Sequence, residues 1–394
     1  MRSPQDPQPG APDPWVGSTM PAVRPGPPYA MTEMIAAEPA FARRLLDRLR
    51  APDHPAGRLA DELRATVTVG RPVVVVGCGT SEHGAQATAA ILADATRSLG
   101  SLTGTGPVVA RQALEAALGP QDAGLLVAIS HEGGTWATNE ALGAARAAGV
   151  RTALITVSDR SPGAALADIV VTTDEADQSW CHTIGYLSPV LAAAVVAARL
   201  RQGAVDGEAV TGLLAAGLGE AGTAEAIATG LAATERLLVI ASGADRPAGW
   251  ELALKVEEAS YLPTVMRDLE TILHGHLPAA GPTTGLVLIL TDRDHRPERA
   301  GRARGILEGA GVLGIRCGAI VAETVAREWP EALTPLGRMV VADEARLAAP
   351  VAALVGSAVP LQLVAERLAR ARGTNPDTLR RTDPRYVAAA AAAE

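Results

Sequence analysis

A strand pattern that occurs twice constrains the fold of this 394-residue chain more than any other feature. In the first half, four valines from Val73 to Val76 run into the turn Gly-Cys-Gly-Thr-Ser, and an apolar run at 125–130 leads into Ser-His-Glu-Gly-Gly-Thr. In the second half, runs at 236–241 and 285–290 end in Ala-Ser-Gly-Ala-Asp and Ile-Leu-Thr-Asp. Short apolar strands that alternate with helices are typical of a parallel sheet with helices on both faces. The pattern therefore predicts an internal duplication, with two α/β lobes in tandem.

The apolar periodicity places the remaining elements. Strands are predicted at 152–157, 169–172, 312–315 and 339–341, and helices at 31–50, 85–92, 136–148, 186–200, 247–261 and 351–370. We expect five segments: a disordered Pro-rich leader at 1–29, a helical segment at 30–58, a first lobe at 59–215, a second lobe at 216–372 and a polar tail at 373–394.

Composition excludes several classes of function. The net charge of −8, the 3 % of aromatic residues and the lack of a basic patch argue against binding to nucleic acid or to an anionic membrane. The three cysteines, Cys78, Cys181 and Cys317, are too far apart for a disulfide framework or a zinc site, which indicates free thiols in a reducing cytoplasm. The longest apolar stretches, at 187–200 and 348–364, are interrupted by polar residues or proline and predict buried helices instead of membrane spans.

The two turns of the first lobe are the first candidate site. Ligands of open α/β sheets bind beyond the carboxyl ends of the strands, where helix N-termini and hydroxyl groups suit an anion such as phosphate. The alternative is that the glycines have only a structural role, because tightly packed turns also require glycine. Neither turn matches a dinucleotide-binding pattern or a P-loop, so no cofactor is predicted. The candidate ligand-binding residues are Cys78, Gly79, Thr80, Ser81, Ser130, His131, Glu132 and Thr135.

The second candidate site is a helix that carries the chain's only lysine. Glu251, Lys255 and Glu258 are spaced four and three residues apart and therefore share one helix face, whereas Glu257 points elsewhere. The alternative is that these three residues form an exposed ladder of ion pairs on the helix surface, which has the same spacing. The apolar residues around these charges favour a cleft instead, where a carboxylate beside a lysine is suited to act as a general base.

A third candidate is His274, which follows an apolar stretch and precedes a glycine. His276 lies two residues further on, but no other ligands stand at a suitable spacing for a metal ion, so no metal site is predicted.

Taken in order, these motifs resemble a known family. Gly-Cys-Gly-Thr-Ser, Ser-His-Glu-Gly-Gly-Thr, the segment from Trp250 to Tyr261, Leu-His-Gly-His and Asn-Pro-Asp-Thr-Leu-Arg-Arg are similar to motifs in the isomerase half of glucosamine-6-phosphate synthase and its sugar-isomerase (SIS) relatives, over about residues 31–385. The resemblance implies two SIS lobes, each a flavodoxin-like parallel sheet of five strands, in a homodimer.

The resemblance also implies roles for individual residues. The two turns match the family's phosphate-binding turns, and Glu258 matches the glutamate that moves a proton between C1 and C2 of the sugar. Glu251 and Lys255 match the upstream residues of that helix. His274 matches the histidine that helps to open the sugar ring, which in family dimers can reach the partner's site. Glu270 stands where relatives carry an acidic residue before that histidine.

Three departures from the family pattern bear on the substrate. Glu132 stands where relatives have a hydroxyl in Ser-Gln-Ser-Gly-Glu-Thr and would repel a phosphate dianion, although a protonated His131 would partly offset it. Either the substrate carries no phosphate, or Glu132 turns outward or pairs with an arginine. The family's C-terminal lysine has no lysine counterpart, since Arg381 and Arg385 lie in its region. The synthase's glutaminase domain is not expected in this chain.

The sequence thus predicts a cytoplasmic enzyme that acts on a sugar, amino sugar or sugar–amine adduct, with or without phosphate. An isomerase, a deaminase and a deglycase all fit, with Glu258 as base and His274 opening the ring. Two alternatives remain open: a sugar-binding sensor without catalytic activity, and the synthase subunit of a split aminotransferase that receives ammonia from a separate glutaminase.

Overall fold

The computed structural model describes residues 23–97, 99 and 105–393, which contain two sheets of five parallel strands each. The strands are β1 Val73–Gly77, β2 Val108–Gln112, β3 Leu125–Ile129, β4 Arg151–Thr156, β5 Ile169–Thr172, β6 Arg236–Ala241, β7 Thr264–Arg267, β8 Thr284–Leu290, β9 Arg316–Ala322 and β10 Arg338–Val341. Their order is β2-β1-β3-β4-β5 in the first lobe and β7-β6-β8-β9-β10 in the second. The lobes therefore share one topology, which confirms the predicted fold of two tandem α/β lobes.

Helices cover both sheets. They are α1 Ala30–Leu49, α2 Ala56–Thr68, α3 Thr80–Thr96, α4 Ala113–Leu118, α5 Trp136–Ala147, α6 Ile184–Leu200, α7 Gly207–Gly219, α8 Ala221–Leu231, α9 Arg246–Ser260, α10 Arg296–Val312, α11 Glu323–Glu328, α12 Ala349–Ala371 and α13 Pro384–Ala393. The long helix α12 is apolar enough to cross a membrane by length and composition, but 94 % of its apolar window is buried inside the fold.

Some predicted elements were wrong. The strand expected at 312–315 is the end of α10 and the turn after it, where Val312 is exposed, and the actual strand β9 begins at Arg316. The sheet-edge strands β2 and β7 were missed because they are short and only partly buried, so neither has a continuous apolar run. The helix predicted at 85–92 begins at Thr80, and part of the expected polar tail forms α13.

The predicted leader at 1–29 lies mostly outside the described residues. Its described end, residues 23–29, is held by the chain's C-terminal part: the side-chain amide of Asn375 donates a hydrogen bond of 2.6 Å to the carbonyl of Arg24. The backbone N–H groups of Ala30 and Met31 at the start of α1 donate to the carboxylate of Asp377 at 2.6 and 3.0 Å.

The contact between the lobes positions the candidate site. Helix α3, which follows β1 in the first lobe, packs against α9, which follows β6 in the second. One continuous apolar core includes residues of both sheets and of α6 and α12, so the two lobes share an interior. This packing places the turn at the end of β1 beside the helix that carries Glu251, Lys255 and Glu258.

Candidate functional site

The charged residues of α9 form a buried cluster. The side chains of Lys255 and Glu251 are wholly inaccessible to solvent, and that of Glu258 is 22 % exposed. Lys255 Nζ lies 2.5 Å from Glu258 Oε2 and 3.6 Å from Glu251 Oε1. These exposures exclude the alternative of an exposed ion-pair ladder.

The electrostatics of this cluster keep its buried groups ionised. Burial alone would lower the pKa of Lys255, but the carboxylates of Glu258 and Glu251 outweigh burial and raise that pKa above its ordinary value. Burial alone would raise the pKa of Glu251, but Lys255 and His83 outweigh it and lower that pKa. Lys255 is therefore an ammonium ion at neutral pH. It provides positive charge beside Glu258 and is not in the free-amine form that an imine requires.

Glu258 is the member of the cluster that faces open space. Its Oε2 also accepts a hydrogen bond of 3.5 Å from Cys181 Sγ. The residue lies in the wall of a cavity of about 490 Å³, together with Tyr261, Arg380 and Tyr386. A half-buried carboxylate that contacts a fixed ammonium ion on one side and lines a cavity on the other has the geometry of a general base.

The role of the loop that carries Cys181 was not predicted from the sequence. The carboxylate of Asp177 holds this loop by accepting hydrogen bonds from the backbone N–H groups of Ser179, Thr183 and Gly185. Burial raises the pKa of Cys181 well above its ordinary value, so Cys181 is a neutral thiol that donates to Glu258. Polar residues often precede an apolar helix because they cap its N-terminus, so the polar residues before α6 were no specific sign of a functional loop.

The turn after β1 leaves space above its glycine. Gly79 has a left-handed φ of +57°, and a Cβ added to it would have only Leu254 Cδ2 of α9 nearby, at 4.0 Å. Thr80 and Ser81 belong to the first turn of α3, whose N-terminus suits a negatively charged group. Cys78 lies beneath the turn, where its sulfur is 3.8 Å from Thr138 Oγ1.

The turn after β3 differs from the expectation that a protonated His131 offsets the charge of Glu132. This side chain is buried, its Nε2 accepts a hydrogen bond of 2.8 Å from the backbone N–H of Asp177, and its ring lies 5.1 Å from that of His182. Burial lowers the pKa of His131, so the ring is neutral and does not offset the charge of Glu132. Ser130 is also buried, whereas Thr135 is exposed and Glu132 is half-buried.

His83 was missed by the sequence analysis. It lies in α3 and is buried, its Nδ1 is 2.7 Å from Glu251 Oε2, and its ring stacks at 6.5 Å from that of Trp250. The only available signal was its spacing, since it follows Gly79 by four residues and lies one helical turn inside α3.

His274 does not lie with the α9 cluster in this chain. Its side chain is 70 % exposed, and its Nε2 is 2.7 Å from Glu270 Oε1. Arg302 donates two hydrogen bonds to Glu270, at 2.7 and 2.8 Å, and with His274 lowers the pKa of Glu270 to about 2. His276 is exposed nearby. An exposed, oriented histidine on the second lobe is available to a neighbouring molecule.

The C-terminal segment brings arginines to the edge of the cavity. Arg380 stacks between the rings of Tyr261 and Tyr386, at 4.2 and 4.6 Å, and Arg381 lies 3.6 Å over the ring of Trp180. Arg385 is exposed and pairs with Asp383. In the described part of the chain, no group of three or more His, Cys, Asp or Glu residues is arranged to hold a metal ion.

Comparison with known proteins shows what the fold is similar to. Residues 70–199 match the family model of the SIS domain. No curated protein matches the chain in sequence. The fold is similar to that of the C-terminal domain of glucosamine-fructose-6-phosphate aminotransferase from Francisella tularensis, with a TM-score of 0.75 at 18 % identity over 91 % of this chain and 100 % of that one.

Two further solved structures have the same architecture. Tagatose-6-phosphate ketose/aldose isomerase from Escherichia coli has a TM-score of 0.72 at 16 % identity, over 92 % of this chain and 98 % of that one. Glucosamine-6-phosphate deaminase from Thermotoga maritima has a TM-score of 0.63 at 16 % identity, over 88 % and 96 %. Residues 70–199 therefore match the SIS domain, and the chain as a whole has the two-lobed α/β fold of these solved structures.

Proposed function

We propose that this chain is an enzyme that transfers a proton between C1 and C2 of a ring-opened sugar, amino sugar or sugar–amine adduct. The observation that carries the proposal is the α9 cluster, in which the wholly buried Lys255 holds the carboxylate of Glu258 at a cavity wall. A buried ion pair contributes little net stability compared with apolar packing. Placing one beside a cavity is typical of a catalytic site instead.

The chemistry assigned to Glu258 is a single proton shuttle. Its carboxylate removes the proton from C2 of an aldose, or from C1 of a ketose, and the electrons of that C–H bond form the C1–C2 double bond of the enediol or enolamine. The π electrons of the carbonyl group move to its oxygen, which takes up a proton from water. The same carboxyl group, now protonated, returns the proton to the neighbouring carbon, while the hydroxyl or amino group on the carbon that was first deprotonated loses a proton to water and becomes the new carbonyl or imine. Lys255 stays protonated throughout and holds the carboxylate of Glu258 in place between turnovers.

When the group on the carbon that was first deprotonated is an amine, the product is an imine, which water hydrolyses to a carbonyl group with release of ammonia or the amine, as deamination and deglycation require. Amino transfer is the reverse sequence, in which ammonia condenses with the ketose carbonyl and water is lost.

The first-lobe turns have the complementary role in this proposal. The open space above Gly79 and the N-terminus of α3 face the second lobe's helix, so a ligand there lies between the turn and α9. The solved relatives that act on 6-phosphosugars share this fold, which supports a sugar or sugar phosphate as the ligand class.

A sugar-binding protein without catalytic activity is the second candidate. Two observations favour it: the carboxylate of Glu132 stands in the turn after β3, and His274 is exposed and separate from the α9 cluster. An enzyme that acts on a phosphosugar within one chain needs a phosphate turn without a carboxylate and a ring-opening histidine near its base. A binding module needs neither a base nor a ring-opening histidine.

Proton NMR in deuterated water distinguishes the two candidates. The protein is incubated with glucosamine 6-phosphate, fructose 6-phosphate, a fructosamine phosphate and the corresponding sugars without phosphate. We expect deuterium to enter C1 or C2 of at least one of them. Line broadening without exchange for any sugar would favour the binding module.

The base assignment is tested by a pair of adjacent carboxylates. Glu258→Gln should lower the exchange rate by about 10³-fold or more while ligand line broadening persists, because an amide cannot accept the carbon-bound proton. Glu257→Gln is the matched control in the same cavity wall, since Glu257 is exposed and accepts a hydrogen bond of 3.1 Å from the backbone N–H of Thr264 instead of pairing with Lys255. Equal rates in the two variants would refute the assignment of Glu258.

A further inference from the structure

We infer that His83 is a positioning residue that sets how the ammonium of Lys255 is divided between Glu251 and Glu258. The inference rests on the proposed function and adds to it a residue from the other lobe. It begins from an imbalance of charge, since two carboxylates of α9 compete for one buried ammonium ion. Lys255 Nζ lies 2.5 Å from Glu258 Oε2 but 3.6 Å from Glu251 Oε1, although both carboxylates are on its own helix.

His83 explains this asymmetry. A carboxylate only accepts hydrogen bonds, so the 2.7 Å contact between His83 Nδ1 and Glu251 Oε2 is a donation from the imidazole. This bond stabilises the charge of the wholly buried Glu251 without the ammonium. Glu251 then competes less strongly for Lys255, and the ammonium stays on Glu258.

No other described neighbour is suited to take this role. The titratable groups that interact electrostatically with Glu251 or Lys255 from the adjoining loop and helix are Cys181, His182 and Tyr186. Burial raises the pKa of Cys181 and of Tyr186 and lowers that of His182, so all three are neutral. None of the three forms a hydrogen bond to Glu251 within the described ranges.

The position of His83 also couples the base to the contact between the lobes. His83 is on α3 of the first lobe, Glu251 is on α9 of the second, and the ring of Trp250 packs beside the imidazole. His83 also lines a cavity of about 750 Å³ between the lobes. A shift of α3 relative to α9 would therefore change the donor on Glu251 and, through Lys255, the charge around Glu258.

Three variants separate this role from simple packing. His83→Phe keeps a ring against Trp250 but removes the donor, whereas His83→Asn keeps an N–H near the position of Nδ1. Gln86→Leu is the matched control, because Gln86 lines the same cavity from α3. If H83F does not fold, His83→Gln replaces it, because the longer side chain does not place its amide where Nδ1 is.

The first measurement does not depend on activity. Lys255 is the only lysine, so protein labelled with ¹⁵N-lysine gives one side-chain ammonium signal that needs no assignment. We expect H83F to shift this signal, because the ammonium moves towards Glu251, and H83N and Q86L to leave it in place. An unchanged signal in H83F, or the same shift in H83N, would overturn the inference.

The second measurement is the rate of deuterium exchange as a function of pH. In H83F the rate at saturating substrate should fall about tenfold or more with little change in KM, and the acid limb of its profile should move to higher pH as Glu258 loses its ammonium. H83N should restore both properties. An active wild type with an unaltered H83F profile would overturn the inference. An inactive wild type would instead refute the proposed function, while the lysine signal still tests His83.

Discussion

The two lobes have the same strand order, yet the turn after the first strand is open in one and filled in the other. Gly79 and Gly243 each stand two residues beyond that strand, with left-handed φ angles of +57° and +66°. A Cβ added at Gly79 would have its nearest neighbour at 4.0 Å, whereas at Gly243 it would lie 2.3 Å from the guanidinium carbon of Arg299. The same backbone turn therefore encloses a side chain in the second lobe.

Hydrogen bonds around the second-lobe turn explain why the side chain of Arg299 occupies the space above Gly243. Asp292, which follows β8, accepts hydrogen bonds of 2.9 Å from the backbone N–H of Ala244 and 2.5 Å from Arg299. Asp245 is buried and bonds to the residues that follow β8, and burial raises its pKa to about 6. A turn that holds two carboxylates is unsuited to an anionic ligand.

The comparison indicates a division of labour after duplication. In the second lobe, a carboxylate and an arginine satisfy the polar groups at the strand ends, and the turn has a structural role. The helix that follows this turn, α9, carries the buried charges instead. We infer that the first lobe keeps the ligand turn, that the second provides the base, and that changes in equivalent turns should have different effects.

The largest expected effect concerns the second lobe's exposed histidine. If His274 acts in the partner's site, His274→Ala and Glu258→Gln should each lose at least about 10²-fold in exchange rate. Mixing the two inactive proteins under exchanging conditions should restore about a quarter of the wild-type rate, because half of the dimers are hybrids with one intact site. Exchange by NMR in deuterated water measures the recovery.

His276→Ala is the control for this experiment, because His276 is also exposed in the same loop but should retain full activity. A mixture that stays inactive, with hybrid dimers present by native mass spectrometry, would mean that His274 does not complete a neighbouring site. The second lobe's contribution would then be limited to α9.

The sequence specified the architecture better than the site. The repeated apolar runs with their terminal turns predicted both lobes, and the spacing of Glu251, Lys255 and Glu258 predicted their shared helix face. Partly polar edge strands such as β2 were missed because exposure on one side removes the apolar run.

Contacts between residues distant in sequence could not be predicted from the sequence. The bond from His83 to Glu251 joins residues 168 positions apart, and that from Cys181 to Glu258 joins residues 77 apart. Local periodicity has no information about such pairs, because they depend on how α3, α9 and the Asp177 loop pack. The burial of His131 has the same origin, and it removed the positive charge that the sequence allowed beside Glu132.

A smaller effect is expected from emptying the second-lobe turn. Arg299→Ala leaves the carboxylate of Asp292 buried without its cation, which should lower the free energy of unfolding by about 2 kcal/mol after allowance for the partial exposure of Arg299. The exchange rate should not change, because this turn binds no ligand in our interpretation. Urea denaturation and the deuterium-exchange assay measure the two quantities.

Arg304→Ala on the same helix provides the comparison. Arg304 forms an exposed pair with Glu308 at 2.9 Å, so its removal should change the free energy of unfolding by less than about 0.5 kcal/mol. A loss of exchange activity in R299A at unchanged stability would contradict the division of labour, because it would give the second-lobe turn a part in catalysis.

The smallest expected effect sharpens the role of the first-lobe turn. Glu132→Ser restores the hydroxyl found in related turns and removes a negative charge that the neutral His131 does not offset. The affinity for a phosphorylated sugar, relative to the same sugar without phosphate, should rise about tenfold. Calorimetric titration of both sugars measures the ratio, and Glu140→Ser, at an exposed position on α5, should leave it unchanged. A ratio that does not move in E132S would mean that this carboxylate faces away from the ligand, and the first lobe would then be able to bind phosphate with Glu132 in place.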